Sequence, residues 1–268
     1  MEISFQWIGG ATFVLKLGTL KIACDPVLCE KGTVQDYFWF RSARLEQPVY
    51  DDQTFRNIDI WLITHPHADH LDKKGLSEID DQSMVICNPD SHKKLSKTGN
   101  RRLSVLRWNQ KKTLKLKGYT IEIQAIPAIH GVNPLSAYFA GKVNGYYLII
   151  SDDKKEEFCI YITADTVFHN KIIRKLKNHK IDLLISNMGA AKAGTWIMTL
   201  TLNAKMLQKL IAKLNPGTVI PVHFGTFEHY HEPIEKLKEL HDKRIQLLQP
   251  GDSTIICPDK NYRLKNPN

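Results

Sequence analysis

IWLITHPHADHLDKKG, Ile60 to Gly75, decides the reading of this chain. A near-continuous apolar run, of the kind buried on both faces of a sheet, gives way to three histidines and two aspartates within eight positions. His65 and His67 lie two apart just past the strand end. Residues two apart in extended chain point to the same side, so both imidazoles can reach one ion. Asp69 and His70 follow where the chain turns toward a helix, and they can face a second point beside the first. Neutral imidazole and carboxylate are donors that Zn²⁺, Mn²⁺ or Fe²⁺ accept. A lone histidine would read as a solvated or hydrogen-bonded side chain. H-x-H-x-D-H directly after a buried strand requires several ligand types to coincide in one loop. Without a cation, such close packing becomes unfavourable once any histidine protonates.

The rest of the chain repeats the pattern. His130 ends IEIQAIPAIH, Asp165 ends FCIYITAD and His223 ends TVIPVHF, each at the end of an apolar strand as His65 is. Polar ligands gathered at strand ends describe an active-site rim. Upstream, EISFQWIG, TFVLKLG and LKIACDPVL read as short strands bounded by Gly or Pro. The stretch from Cys29 to Asp52, with DYFWF inside it, reads as a loop. KKGLSEI reads as a short helix and SMVIC as a strand. Alternation from LSVLRW to IEIQAIPAIH breaks at a Lys117–Gly118 turn, and DDKKEE joins YYLIIS to FCIYITAD as a hairpin. NKIIRKLKNH and LNAKMLQKLIAKLN have helical spacing, the latter stopping before Pro216–Gly217. A last helix is expected over Pro233–Lys243 and a last strand at STIIC. The first half is strand-rich and the second alternates helix and strand. One α/β domain with two sheets, spanning residues 1–268, fits best.

At 268 residues the chain suits one large domain or two small ones. Its 43% hydrophobic and 24% charged residues are ordinary for a globular protein. No apolar run approaches the roughly 20 residues of a membrane span, and MEISFQWIGG has no signal-peptide pattern. Five dispersed cysteines with no C-x-x-C pair read as reduced thiols and a cytoplasmic location. The net charge of +9 comes from lysines dispersed along the chain rather than from a basic block interleaved with aromatics. It is therefore read as solvated faces with some attraction for anions, and nucleic acid is not the expected partner. No G-x-S-x-G elbow or dinucleotide-binding G-x-G-x-x-G occurs. GAAKAGTW has the glycine spacing of a P-loop but lacks its Lys and Ser/Thr.

The ordered set Asp25, His65-x-His67-x-Asp69-His70, His130, Asp165, His223 resembles the metallo-β-lactamase superfamily of metallohydrolases, from about Gln6 to Thr254. WIGGATFVLKLGTLKIACDPVL, THPHADHLD, IPAIHG, ITADT and VIPVHFGTFEHY are similar to the branch that includes L-ascorbate-6-phosphate lactonase and N-acyl phosphatidylethanolamine phospholipase D. Gly10 and Ala164 depart from that branch's GHA and GDT motifs; neither is an expected ligand. The resemblance implies an αββα four-layer sandwich with the site at one edge of its two sheets. It implies one metal on His65, His67 and His130, and a second on Asp69, His70 and His223, with Asp165 between them. Asp25 would orient a ligand from behind; otherwise it is a turn residue before Pro26. Zinc is the first expectation for the two divalent ions, with manganese or iron as alternatives.

Two such ions about 3.5–4 Å apart can hold a bridging hydroxide as nucleophile, which Asp69 can orient. The expected substrate is a phosphodiester or a phosphorylated, anionic small molecule. The alternative is a lactone or carboxylic ester, and a non-catalytic metal-binding protein comes third. The oligomeric state is open, a homo-oligomer included. His229 is the candidate substrate contact or proton donor, against a surface histidine in EHYH. His169 is a further candidate to line the pocket, while His92, His179, His231 and His241 read as surface residues. Lys192 and Trp196 read as ordinary loop, with contact to substrate as the alternative. DYFWF is either an apolar wall over the site or packing beneath the loop.

Overall fold

The computed structural model describes residues 1–37, 40–97, 99, 102–133, 138, 141–192 and 199–258. Its first sheet has seven strands in the order β15-β1-β2-β3-β6-β7-β8: β1 Ile3–Gly9, β2 Thr12–Leu17, β3 Leu20–Cys24, β6 Ile60–Ile63, β7 Met84–Cys87, β8 Leu103–Val105 and β15 Ser253–Ile256. The second has six, in the order β14-β13-β12-β11-β10-β9: β9 Lys111–Leu116, β10 Tyr119–Ala128, β11 Val143–Ser151, β12 Glu157–Ile162, β13 Leu183–Asn187 and β14 Thr218–Val222. Lys117 and Gly118, both at positive φ (52° and 81°), make the expected turn between β9 and β10.

Alternation along the strands builds the layers. On β11, Tyr146 points at the first sheet, its hydroxyl donating to the Ile63 carbonyl at 2.7 Å. Its neighbour Tyr147 points the other way and donates to the Lys180 carbonyl at 2.7 Å. Between the sheets, Phe5, Trp7, Phe13 and Leu15 join Ile121, Ile123, Leu148 and Ile160 in one buried core. The far face of the first sheet (Val14, Trp61, Ile63, Val85) packs on Leu71 and Leu95, at or near α1 Lys73–Ser77 and α2 Pro89–Leu95. On the second sheet's outer side, α3 Asn170–Leu176 and α4 Ala204–Leu214 bury Ile172, Leu176, Leu207, Leu210 and Ile211. The result is the αββα sandwich.

Three local expectations change. The Cys29–Asp52 stretch is not all loop: β4 Val34–Asp36 and β5 Arg41–Ala43 form a separate antiparallel hairpin. Strands of three residues with exposed, polar members carry no apolar alternation to read. The helix expected over Pro233–Lys243 is the single turn α5 Glu235–Lys238, and His241 reaches positive φ (48°) just beyond it. His92 and His179 are half-buried rather than on the surface, with His179 edge-on to Tyr147. Phe38, Trp39 and Trp196 lie outside the described residues.

Strand direction places the site. β10 and β12 are both antiparallel to β11, and β12, β13 and β14 are mutually parallel, so β10, β12, β13 and β14 all end at the same edge. β3 and β6 are parallel neighbours in the other sheet. The chain segments leaving β3, β6, β10, β12 and β14 carry Asp25, His65, His130, Asp165 and His223 respectively.

Candidate metal centre

The seven residues read as ligands converge into two groups. The nitrogens of His65, His67 and His130 lie within 4.8 Å of one another, and so do the donor atoms of Asp69, His70, Asp165 and His223. Asp165 stands between the groups: Oδ2 is 3.2 Å from His70 Nε2, 3.9 Å from His65 Nε2 and 3.8 Å from His130 Nε2, while Oδ1 is 3.5 Å from His223 Nε2. Asn187 Nδ2 donates to that Oδ1 at 2.8 Å and fixes the carboxylate.

Each imidazole is oriented from behind. His130 Nδ1 donates to the Leu200 carbonyl (3.0 Å), which leaves its Nε2 as an acceptor facing inward. Asp25 accepts from His70 Nδ1 at 2.7 Å, from the Thr64 amide at 2.8 Å and from the Thr64 hydroxyl at 2.6 Å. With its proton committed to Asp25, the Thr64 hydroxyl accepts from His65 Nδ1 at 3.0 Å. One buried carboxylate therefore sets the rings of His65 and His70 together. Asp25, Ala164 and His223 all adopt positive φ (41°, 53° and 62°). Strained backbone of this kind collects at functional sites, and here it turns the chain sharply as it leaves β3, β12 and β14.

Asp69 is held from the opposite side. His229 Nε2 lies 3.1 Å and the Tyr230 hydroxyl 3.0 Å from Asp69 Oδ2, and the Tyr230 hydroxyl is also 2.7 Å from His223 Nε2. Ser42 Oγ lies 2.7 Å from His229 Nδ1. A carboxylate can only accept, so neutral His229 carries its proton on Nε2 and takes the Ser42 hydroxyl proton at Nδ1. His229 is buried, not the surface histidine that EHYH allows. Tyr37 and Phe40 at the hairpin tip stack on each other (4.7 Å) and pack against the His229 ring (5.1 and 5.4 Å). Two described residues of DYFWF thus cover this side of the centre.

The donor set fits divalent cations. Burial opposes ionisation of Asp69 and Asp165, yet surrounding imidazoles, His70 and His223 among them, hold both carboxyls well below the usual range. Burial pushes His65 well below its ordinary value, and burial with the neighbouring His130 pushes His67 down to about 4. Burial likewise lowers His130. All three present the neutral imidazole a metal requires. Burial alone would also lower His70, but Asp165, Asp69 and Asp25 raise it well above the ordinary value. Its Nε2 faces His223 Nε2 at 3.1 Å, an approach that two lone pairs tolerate only with a positive charge between or beside them. Asp69 Oδ1 is buried and, among the described residues, has no hydrogen-bond partner. The centre is built around positive charge and has an oxygen to spare for it.

Thr64, Asn187, Ser42, Tyr230 and Tyr37 were not singled out from the sequence. Only Thr64 and the two tyrosines carried a signal, as members of THPHADHLD, EHY and DYFWF. Lys192 is half-buried and bridges to Thr199, its amide donating to the His229 carbonyl at 3.1 Å. His169 caps α3 and lines a cleft beside His130. Among the described residues no helix is long and apolar enough to cross a membrane.

A family profile described as a beta-lactamase superfamily domain matches residues 21–224. The N-acyl-phosphatidylethanolamine-hydrolyzing phospholipase D 1 of Caenorhabditis elegans is 27% identical over 268 residues, covering 93% of this chain and 72% of its own. A UPF0173 metal-dependent hydrolase of Pyrobaculum islandicum is 23% identical over 262 residues, covering 95% of this chain and all of its own. A crystal structure from Veillonella parvula, described as a possible metal-dependent hydrolase, superposes with a TM-score of 0.79 at 19% identity, over 95% of this chain and 99% of that one. That last likeness is one of fold.

Proposed function

The chain belongs to the beta-lactamase superfamily, and we propose that it is a single-domain, metal-dependent hydrolase of a phosphodiester or phosphorylated small molecule. The observation that carries this reading is the pair of donor groups meeting at one sheet edge around an unpartnered Asp69 oxygen. The phosphodiester preference rests on the phospholipase D relative, which aligns over 93% of the chain. His65, His67 and His130 would hold one divalent ion and Asp69, His70 and His223 the other, with Asp165 shared. Zinc suits these ligands, and manganese or iron is compatible with them. Divalent cations held there supply Lewis acidity, polarising a phosphoryl oxygen and acidifying water. Four of the five cysteines are buried as free thiols, which supports a reducing, cytoplasmic setting.

The chain's own residues do the rest. Asp25, through His70 and Thr64, keeps the donors aimed so that little reorganisation is needed when charge develops. Asp69 spends Oδ2 on His229 and Tyr230 and keeps Oδ1 to orient the attacking water. His229, held between Ser42 and Asp69, is the proton donor. Water oxygen forms the new bond to phosphorus as its proton passes to Asp69, and the ester P–O bond breaks. The departing alkoxide takes the Nε2 proton of a His229 imidazolium, whose second proton is on Nδ1 beside Ser42; the His229 left neutral is then recharged by the proton from Asp69. The Tyr37 hydroxyl is buried beside the Asp69 carboxylate. Burial, with Asp69 beside it, raises its ionisation far above the ordinary phenol value, so it stays a neutral donor.

The test is hydrolysis of bis(p-nitrophenyl) phosphate against p-nitrophenyl acetate by protein loaded with zinc or manganese, with His67→Ala as control. Turnover of the diester that disappears in the variant is expected. Turnover of the carboxylic ester alone would replace this reading with the lactone or ester alternative.

A further inference from the structure

A cleft of about 710 Å³ opens beside His130, lined by Arg107, Trp108, Val132, Lys142, His169 and Lys171 among others. Arg107, Lys142 and Lys171 are exposed, and among the described residues none of the three pairs with a carboxylate. Unpaired exposed lysines also occur elsewhere on the surface, Lys205 and Lys213 among them; what sets Arg107, Lys142 and Lys171 apart is that they line one concavity. One acidic residue lines the cleft, Asp90, and it is engaged by Lys93 at 3.0 Å. Three uncompensated cations around a low-dielectric concavity focus a positive potential into it. The indole of Trp108 is fixed by its Nε1 donating to the Val143 carbonyl at 2.8 Å, and with half-exposed Val132 it gives the cleft an apolar wall. At its floor is His130, whose ring lies 5.3 Å from both His65 and His67.

We propose that this cleft is a phosphate subsite: it seats an anionic group of the substrate beyond the scissile bond, with Arg107, Lys142 and Lys171 as its ligands. Arg107 supplies the planar fork that matches phosphate oxygens, and the two lysines supply point charges. The apolar wall takes the carbon skeleton between that group and the reacting ester. This assignment rests on the hydrolytic reading of the adjoining metal centre. It narrows the substrate to one with charge at two places, either a soluble phosphoester or a lipid headgroup.

The experiment titrates the full, zinc-loaded chain with glycerol 3-phosphate, and separately with phosphatidylglycerol–phosphatidylcholine vesicles. Tryptophan fluorescence is followed in the wild type, in Trp108→Phe, and in Arg107→Ala/Lys142→Ala/Lys171→Ala. Saturable binding that reports through Trp108 and weakens at least tenfold in the triple variant is expected, with an unchanged melting temperature because all three residues are exposed. Saturation by the soluble ester alone identifies a soluble substrate, and saturation by vesicles alone a headgroup. Equal binding by wild type and triple variant, or no saturation by either ligand, overturns the assignment. For any phosphoester the enzyme turns over, KM should rise at least tenfold in the triple variant with kcat held within about twofold. Binding without turnover would leave the cleft standing and remove the hydrolytic reading; turnover with an unchanged KM would do the reverse.

Discussion

Asp25 lies outside both donor groups, yet two of their imidazole rings depend on it. Its carboxylate is 1% exposed and takes protons from His70 Nδ1, the Thr64 amide and the Thr64 hydroxyl. Asp25→Ala strands those donors in the interior, which should cost about 1–3 kcal/mol of stability. Losing a partner behind the ligands should also weaken zinc binding about 10–100-fold, measured by competition with a chromogenic chelator. Unchanged zinc affinity would reduce Asp25 to a turn residue. His229 makes a different prediction. If it protonates the leaving oxygen, His229→Ala should slow an alkyl phosphodiester about 10²–10⁴-fold. A p-nitrophenyl diester, whose leaving group needs no proton, should be far less affected. Equal losses on both substrates would assign His229 to holding Asp69 alone. The two donor groups were legible in the sequence because four of their residues are neighbours and the other three close apolar runs. The roles of Thr64, Ser42 and Asn187 were not legible: they are common residue types, and those roles come from contacts such as Ser42 with His229, 187 positions apart.

At the scale of the element, α1 and the loop after β3 are locked together. Asp72 caps α1 by accepting from the Gly75 amide at 2.6 Å, and its other oxygen accepts from the Leu28 and Cys29 amides at 2.8 and 2.6 Å. Gly75 makes this closeness possible, since a Cβ there would stand 1.9 Å from the Pro26 carbonyl oxygen and 2.5 Å from its carbon. Backbone cannot yield as a side chain tip can. Gly75→Ala should therefore destabilise by about 3 kcal/mol, the upper part of the overpacking range, despite a gain of about 1 kcal/mol in helix propensity. By displacing Pro26 it should also weaken zinc binding through Asp25. Urea melts report the first effect, with exposed Lys74→Ala as a near-neutral control, and a stable Gly75→Ala protein would contradict this packing. The long apolar strands and α4 were legible because periodicity and bounding Gly, Pro and Asn marked them. The β4–β5 hairpin and the true length of α5 were not. Their short segments are fixed by tertiary contacts, such as the Ala43 amide donating to Glu228 at 2.8 Å.

For the whole molecule, two sheets with different strand orders bring the ends of β3, β6, β10, β12 and β14 to one edge, and the ionisable side chains there repel or attract according to what lies among them. Sequence order alone suggested a shared rim, and the family resemblance implied the partition into two donor groups; strand direction and the distances within the groups required coordinates. A centre holding two divalent ions links their binding to folding, so metal removal should lower the melting temperature as well as abolish turnover. The most direct measurement is the metal content of the wild type and of His67→Ala after zinc loading and gel filtration, by inductively coupled plasma mass spectrometry, with diester turnover assayed on the same samples before and after a chelator. The account predicts two ions per wild-type chain, about one in the variant, and turnover that falls with chelation and returns with zinc. A folded wild type that retains no zinc, or turnover that persists in chelator, would contradict it.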